Sequence, residues 1–449
     1  MGRQTRSPRY TRFMNLHALL QAREDAGEPV GVGLIGAGKF GSMYLAQARV
    51  TPGVRIAVIA DLNPDRAAAA LAATGWHGGH GVRLTDDAAG LIGDPAVEVV
   101  IDATGSPTAG VAHVLACCDA KKHVVMVNVG ADALAGPLLA ERARAAGIVY
   151  SLAYGDQPAL ICELVDWARA AGFPVVAAGK GTRYRPGFHY LTPDEVWPHY
   201  GIAAEDAARG GMNPQMFCSF LDGTKSAIEM AAVANATGLT PAPHGLSFPP
   251  CGTGELAEML RPKHLGGVLH HAGQVEVIAS EERDGRAVPG DLRWGVYVTF
   301  AAPSDYAARC FQEYGLKTDA SGRVAAMWKP FHLIGLELGI SVASVALRGE
   351  PTGAPDALRA DVVATAKRDL AAGETLDGEG GTTVYGKLMR ADDSLALGGL
   401  PIGLAHDVRL TGAVAHDAPV RWADVEMPDS PAVRLRRELE AGAAALAAE

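Results

Sequence analysis

The run Val30-Gly31-Val32-Gly33-Leu34-Ile35 passes directly into Gly36-Ala37-Gly38-Lys39-Phe40-Gly41, and this junction constrains the chain more than any other stretch. It reads as a buried strand entering a glycine turn, and residues 42–50 continue with apolar side chains at helical intervals. Gly36, Gly38 and Gly41 stand in the G-x-G-x-x-G spacing, which between a strand and a helix marks a dinucleotide site. The first glycine permits the tight turn, the second lets backbone approach a pyrophosphate, and the third lets helix and strand pack closely. The helix N-terminus presents unpaired N–H groups to the phosphates, with Lys39 and Phe40 beside them. In a chain with 54 glycines the spacing alone means little, so its weight comes from the flanking strand and helix.

The next hundred residues extend the pattern. A second strand over 55–60 ends at Asp61, and an acid about twenty residues past the fingerprint accepts hydrogen bonds from the adenosine ribose. An Asx-turn at Asp61-Leu62-Asn63-Pro64 is the alternative role. Arg66 a few residues on is of a type that holds a 2′-phosphate, so the residues leave NADH and NADPH both open. A strand over 97–103 runs into Thr104-Gly105-Ser106-Pro107, where the nicotinamide half should lie, and a strand over 123–128 runs into a matching loop, Asn128 to Asp132. Helices over 67–73, 109–118 and 137–146 and a strand over 148–152 complete the alternation. Alternation of this kind specifies an α/β fold with a Rossmann-type doubly wound parallel sheet.

At 449 residues the chain exceeds one ordinary core. The expected division is an N-terminal arm and helix over 1–27, a dinucleotide-binding domain over 28–155, an α+β catalytic and oligomerisation domain over 156–348, and a small β-rich domain over 349–449. A formal net charge of -10 argues against nucleic acid or anionic membrane as a partner, since both attract basic surfaces. No apolar run reaches membrane-spanning length. The six cysteines form no C-x-x-C pair and sit in apolar stretches, which suits reduced thiols in a cytoplasmic protein. The arm carries Arg3, Arg6, Arg9 and Arg12 with no apolar signal core behind them, and Met14 is an alternative start.

Past residue 153 the rhythm changes. An amphipathic helix over 159–171 and a short strand over 175–178 lead to Lys180, Arg183 and Arg185 among glycines, with His189 nearby. Such a cluster suits a phosphate or carboxylate clamp, because Arg binds these groups through two parallel hydrogen bonds. Asn213 opens the next segment, in which Asp222 precedes a helix over 227–236 and suits its cap. Lys225 falls in the first turn, where the helix dipole opposes a cation, and that cost favours a functional role. Lys329, beside Trp328 and ahead of an apolar helix over 334–346, and His332 complete the candidate substrate set. Beyond the Pro/Gly-rich residues 349–356 come short strands and tight turns, then an amphipathic helix over 434–447.

The fingerprint, the Asp61-Leu62-Asn63-Pro64-Asp65-Arg66 run and Lys122-His123-Val124-Val125-Met126-Val127-Asn128 resemble the first domain of homoserine dehydrogenases. Asp369-Leu370-Ala371-Ala372-Gly373-Glu374-Thr375-Leu376 resembles a SAF domain motif. The combined match, over nearly all of the chain after Met14, is to the homoserine dehydrogenase-like group that includes the second type of 1-deoxy-D-xylulose 5-phosphate reductoisomerase. Homoserine dehydrogenases place a lysine directly after the loop asparagine, and Val129 stands there, which argues against that activity itself. Asp222 and Lys225 are similar to the family's catalytic aspartate and lysine, one residue closer together. The resemblance implies NADPH, a divalent metal for which no ligand cluster is readable, and a homo-oligomer.

The expectation is therefore an NAD(P)-dependent oxidoreductase acting on a small polar, phosphorylated or unphosphorylated hydroxy-carbonyl compound. Its most specific form is reductoisomerase chemistry giving 2-C-methyl-D-erythritol 4-phosphate for isoprenoid precursors. A sugar-acid or polyol catabolic dehydrogenase shares the fold and the fingerprint. A non-catalytic NAD(P)-sensing protein is the alternative of another class, kept open by Val129. In the enzyme reading Lys225 donates the proton, its pKa drawn toward neutrality by burial, and Asp222 orients it. Lys180, Arg183 and Lys329 then hold the substrate's anion.

Overall fold

A computed structural model describes residues 15–77, 81–209 and 212–447, so the arginine-rich arm and Met14 lie outside the described residues. The first described helix, Leu16–Asp25, is capped by Asn15, whose Oδ1 accepts the Ala18 N–H at 2.9 Å. Six strands come next: β1 Val30–Ile35, β2 Val54–Ala60, β3 Arg83–Thr85, β4 Val99–Asp102, β5 His123–Met126 and β6 Tyr150–Leu152. They form one parallel sheet in the order β3-β2-β1-β4-β5-β6, with Ile35 level with both Ala60 and Asp102. Helices cover both faces, so every residue of β1 is buried and the strand reads as an unbroken apolar run.

One helix begins earlier than its sequence suggests. Pro137 lies inside a helix, Val129–Ala146, rather than at its start. The reason is Asn128, whose Oδ1 accepts the Ala131 N–H at 3.1 Å and caps the helix, turning the expected loop into its first turn. The edge strand β3 gave no readable signal, being three residues long.

A second, mixed sheet is made of β7 Val175–Thr182, β8 Gln274–Ala279, β9 Val296–Ala301 and β10 Val324–Lys329 in the order β10-β9-β7-β8. Here β7 pairs parallel to β8 and antiparallel to β9. The expected glycine-rich cation loop is thus partly a central strand. A Cβ on Gly179 would stand 1.8 Å from the Glu276 carbonyl oxygen, so the glycine there serves close packing. Helix Thr224–Thr237, buried along nearly its whole length, packs between this sheet and the remaining strands.

The last layer holds β11 Ala360–Ala366 paired antiparallel with β13 Val384–Arg390, and a small sheet of β12 Thr375–Asp377, β14 His406–Leu410 and β15 Val425–Glu426 in the order β12-β14-β15. The final helix, Pro431–Ala447, returns to the first domain. Its Arg436, with 0% exposure, pairs with Asp361 at 2.6 Å and donates to the Leu134 carbonyl at 3.1 Å. A buried charge satisfied on all sides ties three layers together. Among the described residues no helix is long and apolar enough to cross a membrane, and all six cysteines are free.

Candidate active site

The glycine turn has the shape its sequence requires. Gly36 adopts φ +94°, and a Cβ there would lie 2.8 Å from the Ala103 carbonyl oxygen. A Cβ on Gly41 would lie 2.3 Å from the Gly36 carbonyl oxygen, so helix Lys39–Ala48 seats directly on the turn. Gly38 has no atom within 4 Å of its Cβ position, which leaves an open cradle for a pyrophosphate against the helix N-terminus. The residues present therefore fit a dinucleotide.

Asp61, at the end of β2, is buried and accepts the Ala37 N–H at 2.8 Å and the Asn63 N–H at 2.9 Å. Arg66 grips the same carboxylate, with Nη2 to Oδ1 at 2.7 Å and Nε to Oδ2 at 3.1 Å. Burial alone would raise its pKa, but these N–H groups and the guanidinium outweigh it and hold the carboxyl below its usual range. Asp61 and Arg66, considered separately in the sequence, form one unit whose outer face is the half-exposed guanidinium.

A buried network builds the carboxyl edge of β4 and β5. Asp102 accepts the Thr104 N–H at 2.8 Å and its hydroxyl at 2.6 Å, and its other oxygen lies 2.8 Å from His113 Nδ1. Asn128 Nδ2 donates to Thr104 Oγ1 at 3.1 Å and to the Ser106 carbonyl at 2.8 Å. Gly38, Lys39, Phe40, Thr104, Gly105 and Asn128 all line one cavity of about 790 Å³.

Lys225 lines the same cavity, and Asn213 joins it while its Oδ1 caps helix Pro214–Leu221. Among the described residues no hydrogen bond or ion pair holds the Lys225 ammonium, although Glu229, Glu379 and Asp156 surround it. Desolvation pulls its pKa down, but the three carboxyls together push it above the ordinary lysine value. The expected drift toward neutrality is thus reversed, because burial here comes with counter-charges. Lys225 is a fixed cation at the cavity wall.

The other central-domain cations point elsewhere. Lys180, buried in β7, is hydrogen-bonded to Glu229. Arg183 and Arg185 share Glu281, the former at 2.7 Å. Lys329 pairs with Glu337 at 2.5 Å. None of these four lines the cavity. His189 Nδ1 donates to the Asp222 carbonyl at 2.6 Å while its ring stacks on Tyr385, and burial lowers its pKa. His332 Nδ1 donates to the Trp294 carbonyl at 2.7 Å, and Gln157 meets its other nitrogen at 3.2 Å. Asp222 faces Lys367 of the last layer at 2.8 Å rather than Lys225, and its Oδ1 accepts the Thr224 N–H at 2.9 Å. Among the described residues no group of three or more His, Cys, Asp or Glu could hold a metal ion, so no step is assigned to the expected divalent metal.

Sequence reasoning missed the last layer's share. Glu379, His406, Asp407 and Met427 also line the cavity. The one readable signal was an acid between glycines in Asp377-Gly378-Glu379-Gly380-Gly381.

Residues 155–338 match a family model described as the catalytic domain of oxidoreductase DRL, and residues 30–126 match the NAD-binding Rossmann fold of the GFO/IDH/MocA oxidoreductase family. The two segments are similar, in chain order, to an NAD-binding Rossmann domain and to an oxidoreductase catalytic domain. Among similar solved structures is a homoserine dehydrogenase from Thiobacillus denitrificans (23% identity, 47% of this chain and 49% of that chain covered, TM-score 0.34). A myo-inositol dehydrogenase from Lactobacillus casei, solved with NAD(H) and myo-inositol, shares 18% identity over 36% of this chain and 50% of its own, with a TM-score of 0.28. A biliverdin reductase from Synechocystis shares 19% identity over 37% of this chain and 52% of its own, with a TM-score of 0.27. The chain spans about half the length of the solved structures it matches. No curated protein matches it in sequence.

Proposed function

We propose that the whole chain is an NADPH-preferring oxidoreductase that interconverts a small polyhydroxylated carbonyl compound and its alcohol. The observation that carries this reading is that Lys225, the glycine turn, Thr104 and Asn128 line one cavity. The cofactor, when bound, supplies a hydride to the carbonyl carbon. Lys225 then meets the negative charge developing on the carbonyl oxygen. Asn128 and Thr104, locked by Asp102, hold the floor on which the reacting carbon rests. The NADPH preference is supported by Arg66, since its guanidinium is aimed by Asp61 and outward-facing, while the Asp61 carboxylate that a ribose would need is covered.

A second reading, the reductoisomerase on 1-deoxy-D-xylulose 5-phosphate, is favoured by the match of residues 155–338 to the DRL catalytic domain. Against it stand the ion-paired states of Lys180, Arg183, Arg185 and Lys329, which leave Lys39 and Lys225 as the only Lys or Arg among the described residues lining the cavity.

The test is NADPH oxidation across unphosphorylated ketoses and aldonates, polyols in reverse with NADP⁺, and deoxyxylulose phosphate, using wild type and Lys225→Ala. Turnover that falls by about 10²–10³-fold in the variant, with NADPH binding kept, is expected. Full turnover in Lys225→Ala would overturn the assignment.

A further inference from the structure

Glu379 is the cavity's other ionisable group at the Lys225 wall, and it comes from the last layer of the fold. Its loop is held with unusual firmness. The Asp377 carboxylate accepts the Thr382 N–H at 2.6 Å, the Thr382 hydroxyl at 2.7 Å and the Thr383 N–H at 3.0 Å. Gln215, itself on the cavity wall, donates through Nε2 to the Asp377 carbonyl at 2.9 Å and the Glu379 carbonyl at 3.0 Å. Gly380 takes φ +67° where a Cβ would stand 2.1 Å from the Gln215 carbonyl oxygen, so no other residue fits between the loop and helix Pro214–Leu221. Backbone on both sides of Glu379 is thereby fixed, and its side chain is the loop's contribution to the cavity.

We propose that Glu379 is the acid that delivers the proton to the reacting oxygen, with Lys225 holding that oxygen's charge, so that the C-terminal layer supplies half of the catalytic pair. This rests on the oxidoreductase reading above. In the reductive direction the hydride forms the new C–H bond, and the carbonyl π pair takes the proton of the Glu379 O–H. Glu379 is left as a carboxylate, beside an ammonium that stabilises it, and regains a proton from solvent. In the oxidative direction the same carboxylate removes the hydroxyl proton as hydride leaves.

The groups facing Glu379 suit this division of labour. Burial, with Asp222 and Glu229 as like charges, raises its pKa against the opposing pull of Lys225 and a Ser219 hydrogen bond. His406, on β14, packs against the neighbouring Gly378, and Asp407 and Lys39 border the same cavity. The surrounding carboxyls raise the pKa of Lys225 and make it the poorer proton donor, whereas the raised pKa of Glu379 shifts that carboxyl toward its proton-carrying form.

The experiment pairs Glu379→Gln with wild type in two arms. On whichever compound of the panel wild type turns over, the variant should lose about 10²-fold or more in kcat. NADPH affinity should stay unchanged, and the fall of reductive kcat at rising pH should vanish. A variant that keeps kcat, or keeps the wild-type pH limb, overturns the proposal. The second arm needs no substrate: the infrared carbonyl stretch of a protonated carboxyl, measured at neutral pH in the NADPH complex, should lose the Glu379 component in Glu379→Gln but not in Asp132→Asn. If wild type turns over nothing, the functional reading fails by itself. The infrared arm then still decides, because absence of a Glu379 component refutes the acid.

Discussion

Replacing Lys367 with Met separates a structural from a catalytic Asp222. Lys367 Nζ donates to the Leu191 carbonyl at 2.7 Å and the Gly381 carbonyl at 2.7 Å, and pairs with Asp222 Oδ2 at 2.8 Å, with both side chains at most 2% exposed. Removing one partner of a buried pair leaves the other charge uncompensated, at a cost of about 3–5 kcal/mol. For a unit of a few hundred residues, 1 kcal/mol moves Tm by about 2–4 °C, so Lys367→Met should lower it by roughly 6–20 °C. Adding Asp222→Asn removes the stranded charge, and the double variant should recover about 2 kcal/mol relative to the sum of the singles. Thermal and urea unfolding of the four proteins of the cycle read this directly. A loss below about 1 kcal/mol in Lys367→Met would refute the pinning role. So would an Asp222→Asn variant with unchanged Tm and abolished turnover, which would return Asp222 to the chemistry.

Arg66→Ala should weaken NADPH binding about tenfold or more while leaving NADH unweakened, since it removes a charge-assisted contact and uncovers Asp61. Fluorescence titration with both cofactors checks this, and equal loss for both would contradict the Asp61–Arg66 reading. Asp132→Asn should flatten part of the pH dependence of stability. Asp132 is buried with one oxygen satisfied by Tyr150 at 2.7 Å, and burial pushes its pKa from 3.8 to about 7. The folded protein therefore holds a proton that the unfolded chain releases, and stability falls as pH rises from about 4 to about 7 and no further. At about 1.4 kcal/mol per pH unit the effect is at most about 4 kcal/mol. Urea unfolding at pH values on either side of that window should show the variant gaining stability only at the upper end.

The parallel sheet was legible because its signals are local. Strand runs such as 30–35, the glycine spacing and Asp61 each lie within a single βα unit, and the physics that places them acts over a few residues. The surroundings of the central-domain cations were not legible, because their geometry comes from contacts between distant segments. Lys180 and Glu229 are 49 residues apart, and Asp222 and Lys367 are 145 apart, so a sequence shows the cations without their partners. Lys225 was found through its awkward place at a helix N-terminus, which is a local signal. Glu379 went unread, because nothing near it in sequence says that its loop is clamped by Gln215, 164 residues away.

The pairing of the central-domain cations also bears on substrate charge. A phosphate brought to Lys180 would have to break its contact with Glu229 and strand a buried carboxylate, and a phosphate at Arg183 or Arg185 would do the same to Glu281. Breaking such a pair costs about 3–5 kcal/mol, which is most of what a charge-assisted clamp returns. Lys225 already faces Glu229, which also holds Lys180, so a dianion beside it is brought near a carboxylate of like sign. A hydroxyl-rich neutral compound meets no such opposition, and its hydroxyls find Gln215, Asn213 and Ser219 on the cavity wall as hydrogen-bonding partners. On the proposed reading, selectivity for unphosphorylated over phosphorylated substrates would result from charges already spent within the fold, and deoxyxylulose phosphate turning over faster than every neutral compound of the panel would refute it.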